Sequence, residues 1–212
     1  MVAQTETAGA LAPRERERLV RRAQLLAWAS LVWMTAEGVI AVTAGVMAGS
    51  IALIGFGIDS AIEGVASVVI IWRFWGARAL SEAAERRAQK LVAVQFFILA
   101  PYVAIEGVRT LVGGDHPEVS TLGIALTAVS LVLMPYFGIA KRRVGAQLGS
   151  HATQGEGMQN ILCAYLSAAV LVGLGANALL GWWWADPLAA LVIAGVAVRE
   201  GLESWRGEDC CD

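Results

Sequence analysis

The sequence predicts an all-α membrane protein of six transmembrane helices, arranged as two three-helix halves. Three observations predict it. Of the 212 residues, 57% are hydrophobic and only 16% charged, against roughly 45–50% and about 25% in soluble domains. The apolar residues come in blocks of about twenty, enough to cross a hydrocarbon core of about 30 Å. When the chain is threaded back and forth through those blocks, fifteen of the 16 Lys and Arg residues fall on one side.

Residues 1–23 read as an N-terminal arm in which Arg14, Arg16, Arg18, Arg21 and Arg22 alternate with Glu15 and Glu17. The apolar run that follows is too long for a signal-peptide core and ends in no small-residue cleavage site. The first span, about 24–48, holds Glu37 near its middle, and the second, 51–72, holds Asp59 and Glu63. Arg73, Arg78, Arg86, Arg87 and Lys90 separate it from the third, 91–113, where Glu106 and Arg109 stand one turn apart as a local ion pair. His116, beside Asp115 and Glu118, occupies the next loop, either as a weak exit site or as a solvated group. The fourth span is 119–139, followed by Lys141, Arg142 and Arg143. The fifth is 152–180, and Trp182, Trp183 and Trp184 form an interfacial cluster before the sixth, 184–203. A tail, 204–212, carries Cys210 and Cys211. Basic residues concentrate on the cytoplasmic side, so both termini are expected there, as an even number of spans also requires. The orientation accounts for the basic residues, and no nucleic-acid partner is expected.

The two halves echo each other. GFGIDSAIEGVAS (55–67) aligns without a gap on GEGMQNILCAYLS (155–167), pairing Asp59 with Gln159, Glu63 with Cys163 and Ser67 with Ser167. Each segment lies in the middle span of its half. Three spans per half make the second half enter from the opposite side, an inverted repeat of the kind that binds substrate where the repeats meet.

On a helix, residues at i, i+4 and i+8 share a face. Asp59, Glu63 and Ser67 form one such stripe; Glu156, Gln159, Cys163 and Ser167 form another. An ionisable group at this depth costs roughly 2.5–3.5 kcal/mol on insertion scales, so it faces a cavity or a partner. No Lys or Arg lies within spans one, two or five. A cation from outside the protein is the economical partner, the alternative being protonation. Glu37 alone reads equally as a helix–helix hydrogen-bond anchor. Glu156 reads as ligand, proton carrier or gate.

GSIALIGFGIDSAIEGVASVVI resembles the second transmembrane helix of the cation diffusion facilitator family, with its SxAL start, paired ligands four residues apart and a Ser four residues later. WADPLAALVIAGVAV (184–198) is similar to that family's sixth helix, with its Asp-Pro opening. The resemblance covers about residues 20–205. It implies export of a divalent metal, mostly zinc, in exchange for protons, by a homodimer in a bilayer such as the bacterial inner (plasma) membrane. Carried over, the ligands are Asp59, Glu63, Gln159 and Cys163. The family's fifth helix usually offers His and Asp at the last two positions, and an acid often stands where Phe56 does. Its small cytoplasmic α/β domain is not expected here, since GEDCCD follows the sixth helix.

Two carboxylates, a thiolate and an amide oxygen suit four-coordinate Zn²⁺, with cadmium or cobalt as alternatives, and argue against a dedicated Cu(I) site. Metal binding requires deprotonated ligands, so metal and protons compete; Asp59 and Glu63 would carry most of that exchange. His151 stands at the cytoplasmic mouth of span five, where it could admit metal. Cys210 and Cys211, flanked by Glu208, Asp209 and Asp212, read as metal-collecting thiols, unstructured thiols or lipidation sites. No resident cofactor is expected, only the transported ion. The rival reading is a non-transporting metal-binding regulator of the same fold. No Ser/His or paired-Asp catalytic arrangement supports an enzyme.

Overall fold

A computed structural model describes residues 12–48, 51–113, 121–180 and 184–206. Six long helices follow one another as the apolar blocks predict: α1 (Pro13–Ala48), α2 (Ile51–Arg73), α3 (Glu82–Gly113), α4 (Thr121–Leu148), α5 (His151–Leu180) and α6 (Ala185–Arg206). A 3₁₀ turn, Gly76–Leu80, lies between α2 and α3, and no strand occurs among the described residues. Three helices overrun their apolar blocks. Residues 13–23, 82–90 and 140–148 are all helical, because their Arg, Lys, Glu, Gln and Ala content favours helix without needing an apolar face.

Beside an apolar core around Ile70, Val92 and Phe96, the burial pattern departs from that of a soluble bundle. Ser30, Glu37, Asp59, Glu63, Lys141, Glu156, Gln159 and Asn160 are buried, whereas Leu25, Val32, Val39, Ile58, Val65, Val68 and Val132 are exposed. Only a surrounding hydrocarbon phase makes that distribution favourable. Among the described residues, Pro13–Ala44, Glu82–Gly113 and Thr121–Leu148 are each long and apolar enough to cross a membrane. The chain is an integral membrane protein.

α1 packs along α2, α4 along α5 and α3 along α6. Contacts of α1 with α4 and of α2 with α5 draw the first two pairs into a four-helix bundle. The α3–α6 pair lies against α2 and α5. Two glycine contacts set the bundle's spacing. A Cβ on Gly57 would lie 2.9 Å from the Gly38 carbonyl oxygen, and one on Gly157 would lie 2.8 Å from the Gly138 carbonyl oxygen. The backbones of α1 and α2 therefore touch as those of α4 and α5 do, at positions 100 residues apart. Such small-residue contacts replace the hydrophobic drive that is missing between helices in lipid.

The basic ends of the helices are tied by one carboxylate. Glu85 accepts from Arg73 Nε at 2.6 Å, from Ser150 Oγ at 3.0 Å and from the Ala152 amide at 3.0 Å. It thus joins α2 and α3 to the N-terminus of α5, where the helix dipole favours a negative charge. Gly149, at φ 63°, provides the left-handed residue that ends α4, and the Ser150 amide bonds back to the Gly145 carbonyl at 2.9 Å.

Candidate metal centre

The α2 stripe faces the bundle interior. Asp59, Glu63 and Ser67 are 6%, 1% and 1% exposed, while Ile58, Val65 and Val68 on the same helix point outward. From α5, Gln159, Cys163 and Ser167 are buried as well. The two stripes meet: one ligand atom each from Asp59, Glu63 and Cys163 lie within 4.8 Å of one another. The edges of a tetrahedron around Zn²⁺ are roughly 3.4–3.8 Å for oxygen and sulfur ligands, so small side-chain shifts would close the site on an ion. Gln159 lies one turn before Cys163 on α5.

Apart from contact between Glu63 and the Cys163 thiol, most ligand atoms in this region lack protein partners. Among the described residues, Asp59 Oδ1, both Glu63 carboxylate oxygens, both amide atoms of Gln159 and Ser167 Oγ are buried without a hydrogen bond. Buried polar atoms are otherwise almost always satisfied, and an unpaired one costs about 1–3 kcal/mol. A cluster of orphaned carboxylate oxygens, an amide and a thiol is what a cation site between two helices requires.

Glu37 is built differently. It accepts hydrogen bonds from Ser60 Oγ at 3.1 Å and from Ser130 Oγ, so it links α1 to α2 and α4. Its hydrogen bonds match the anchor reading, and Ser60 adjoins Asp59 in sequence.

Glu156 sits elsewhere again. Lys141, placed by the sequence in a loop after span four, lies inside α4 with no exposed surface. Its ammonium is 2.7 Å from Glu156 Oε1, 2.6 Å from Ser30 Oγ and 2.9 Å from Asn160 Oδ1. Ser30 Oγ in turn lies 2.9 Å from Ser67 Oγ. Glu156 therefore has a basic partner from a helix that was predicted to end before it. Its other oxygen, Oε2, has no partner among the described residues.

These two networks mirror each other. Glu37 binds Ser60 and Ser130; Lys141 binds Asn160 and Ser30. Adding 100 to Ser60 gives Asn160, and adding 100 to Ser30 gives Ser130. The internal repeat therefore extends beyond α2 and α5 to α1 and α4. The signal was present in the sequence as SLVWM (30–34) against SLVLM (130–134), with Gly38 against Gly138. Sequence reasoning missed Lys141, Asn160, Ser30 and Ser130 because it stopped at the acidic stripes.

His151 is the first residue of α5, half-buried, and eight residues before Gln159, roughly 12 Å along the helix. Glu106 and Arg109 form the expected ion pair at 3.1 Å, on an exposed part of α3. His116, Trp182, Trp183, Cys210 and Cys211 lie outside the described residues.

A family model for the cation efflux transmembrane domain matches residues 27–206. Transmembrane protein 163 of Xenopus laevis is 23% identical over 168 residues, covering 79% of this chain. The cation-efflux pump FieF of Shewanella oneidensis is 32% identical over 88 residues, covering 42% of this chain. The matched regions span 60% and 29% of those two proteins' own lengths.

Proposed function

The chain belongs to the cation efflux family, and from that premise we propose that it exports a divalent transition metal, zinc foremost, by metal/proton antiport. The observation that carries this reading is the buried convergence of Asp59, Glu63 and Cys163 within 4.8 Å, with Asp59 Oδ1 and the Glu63 oxygens facing no partner among the described residues but the Cys163 thiol. Gln159 supplies the fourth ligand. The metal is substrate, not a resident cofactor, and the protein is a transporter rather than an enzyme. All six helices cross the membrane, both termini face the cytoplasm, and two copies associate through their transmembrane helices.

Protons and metal use the same atoms. A Zn²⁺ ion bound by two carboxylates and a thiolate displaces the protons those groups hold, and protons from the far side displace the metal. Coupled to alternating exposure of the inverted repeats, that competition turns a proton gradient into metal export. Glu37, held by two serines, stands beside the site as a further acid. Glu156, neutralised by Lys141, stays outside the coordination sphere.

The test is flux. Proteoliposomes loaded with a zinc-sensitive dye and placed under an imposed proton gradient should take up zinc with wild-type protein and lose that uptake with Asp59→Ala. Cadmium and cobalt serve as second substrates in the same assay. Metal binding that is abolished by Asp59→Ala, with no flux of any of the three metals, would overturn the transport reading in favour of a metal-responsive regulator.

A further inference from the structure

Away from the metal centre, a cleft of about 370 Å³ opens between α1 and α4 at the basic end of the bundle. Arg22 from α1 and Arg143 from α4 stand at its rim with Gln147, and Leu25, Tyr136 and Ala140 form much of its wall. Arg73, Arg86 and Arg199 each have a carboxylate partner, at 2.6, 3.6 and 2.7 Å. Arg22 and Arg143 have none among the described residues. Other arginines at that end, Arg18 and Arg21 among them, also lack a carboxylate partner among the described residues, but Arg22 and Arg143 are the ones that line this cleft. Two arginines from separate helices thus line one opening with no carboxylate partner among the described residues.

The wall below them is of the opposite character. Tyr136 lies seven residues before Arg143 on α4, about 10 Å deeper along the helix, and it is 66% exposed, as Leu25 is 59% exposed. An occupant must therefore present negative charge at the rim and hydrocarbon below it, at the level where apolar helix surface gives way to arginine. We infer that this cleft binds an anionic phospholipid, its phosphate held between Arg22 and Arg143 and its glycerol and upper acyl chain lying on Leu25, Tyr136 and Ala140. Guanidinium forks suit phosphate oxygens in a bidentate manner, and basic clefts between membrane helices select anionic head groups. Gln147 offers the phosphodiester an additional neutral donor. The site owes nothing to the metal chemistry and stands or falls separately from it.

The experiment is lipid binding to the full chain, purified in mild detergent and stripped of native lipid. Native mass spectrometry would count bound dioctanoyl phosphatidylglycerol and dioctanoyl phosphatidylcholine as each is titrated. The expected result is a preference for phosphatidylglycerol of about thirtyfold, the weight of two charges near a membrane surface, abolished by Arg22→Gln with Arg143→Gln. Arg18→Gln with Arg21→Gln removes the same net charge from exposed positions of α1 outside the cleft and should leave the preference intact. Ala140→Trp fills the cleft while keeping both arginines, and it should also abolish the preference; this second variant covers the case in which the double substitution does not fold. Equal binding of the two lipids overturns the inference. So does a preference that survives Ala140→Trp, since the arginines would then act only as surface charge. Competition by millimolar inorganic phosphate, matching the lipid's own displacement, would make the cleft a free-anion site and overturn the assignment to lipid.

Discussion

In the proposed centre Cys163 would make the difference from a purely oxygen-lined site, because a thiolate ligand changes both which metal is held and how it can be seen. A site of two carboxylates and an amide would favour hard ions; a sulfur ligand shifts preference towards zinc, cadmium and cobalt. Cobalt bound to wild-type protein should show a near-ultraviolet sulfur-to-metal charge-transfer band. Cys163→Ser should lose that band and weaken cadmium binding by at least about tenfold more than cobalt binding, by the softness of the lost ligand. A band that persists in Cys163→Ser would remove Cys163 from the site. Cys163 and Gln159 were legible only through the repeat and the family resemblance, because neither residue type announces a ligand on its own: a buried cysteine reads as a small hydrophobe. Asp59 and Glu63 were legible directly, since two carboxylates in an apolar helix with no base nearby need a reason. Glu37 was legible as a buried acid, but its serine partners lie 23 and 93 residues away, and no local spacing reveals them.

At the scale of elements, the α1–α2 and α4–α5 pairs are two versions of one unit, joined at Gly38–Gly57 and Gly138–Gly157. They have diverged in charge. The first pair holds Glu37 between two hydroxyls; the second holds Lys141 against Glu156, Asn160 and Ser30. Replacing Lys141 by Met should leave Glu156 as a buried charge without a counter-ion, a loss of about 3–5 kcal/mol. Glu156→Gln in the same chain removes that charge and should restore most of the loss. Thermal unfolding in detergent measures both, and a Lys141→Met protein as stable as wild type would show that the ion pair does not hold α4 to α5. The sequence hid this pair for a physical reason. Lys141, Arg142 and Arg143 read as a basic loop, yet the helix continues to Leu148. Consecutive residues on a helix point about 100° apart, so one basic side chain enters the bundle while Arg143 stays exposed. Length and hydropathy place the apolar blocks well, but they cannot assign a face to a residue beyond their edge.

For the whole molecule, the proposed exchange of metal for protons requires that the centre open to one side at a time. Cys163 is 2% exposed, and among the described residues it is the free cysteine; in this conformation the site is closed to bulk reagents. A transporter must visit conformations in which that closure is relieved alternately, whereas a static metal-binding protein need not. With Cys210 and Cys211 replaced by Ser, Cys163 becomes a reporter of access. A membrane-impermeant maleimide should label it slowly from either face of sealed vesicles, measured by mass spectrometry on right-side-out and inside-out preparations. Zinc should protect it on both faces, because metal and reagent compete for one sulfur. Raising the proton concentration on one side should change the two labelling rates in opposite directions, since protons that displace metal on that side redistribute the population between the two orientations. Labelling from one face only, unchanged by zinc or by the gradient, would mean that the centre lies in a blind cavity. The fold would then have kept the ligands of an exporter without its movement, and the seal around Asp59, Glu63 and Cys163 would be permanent.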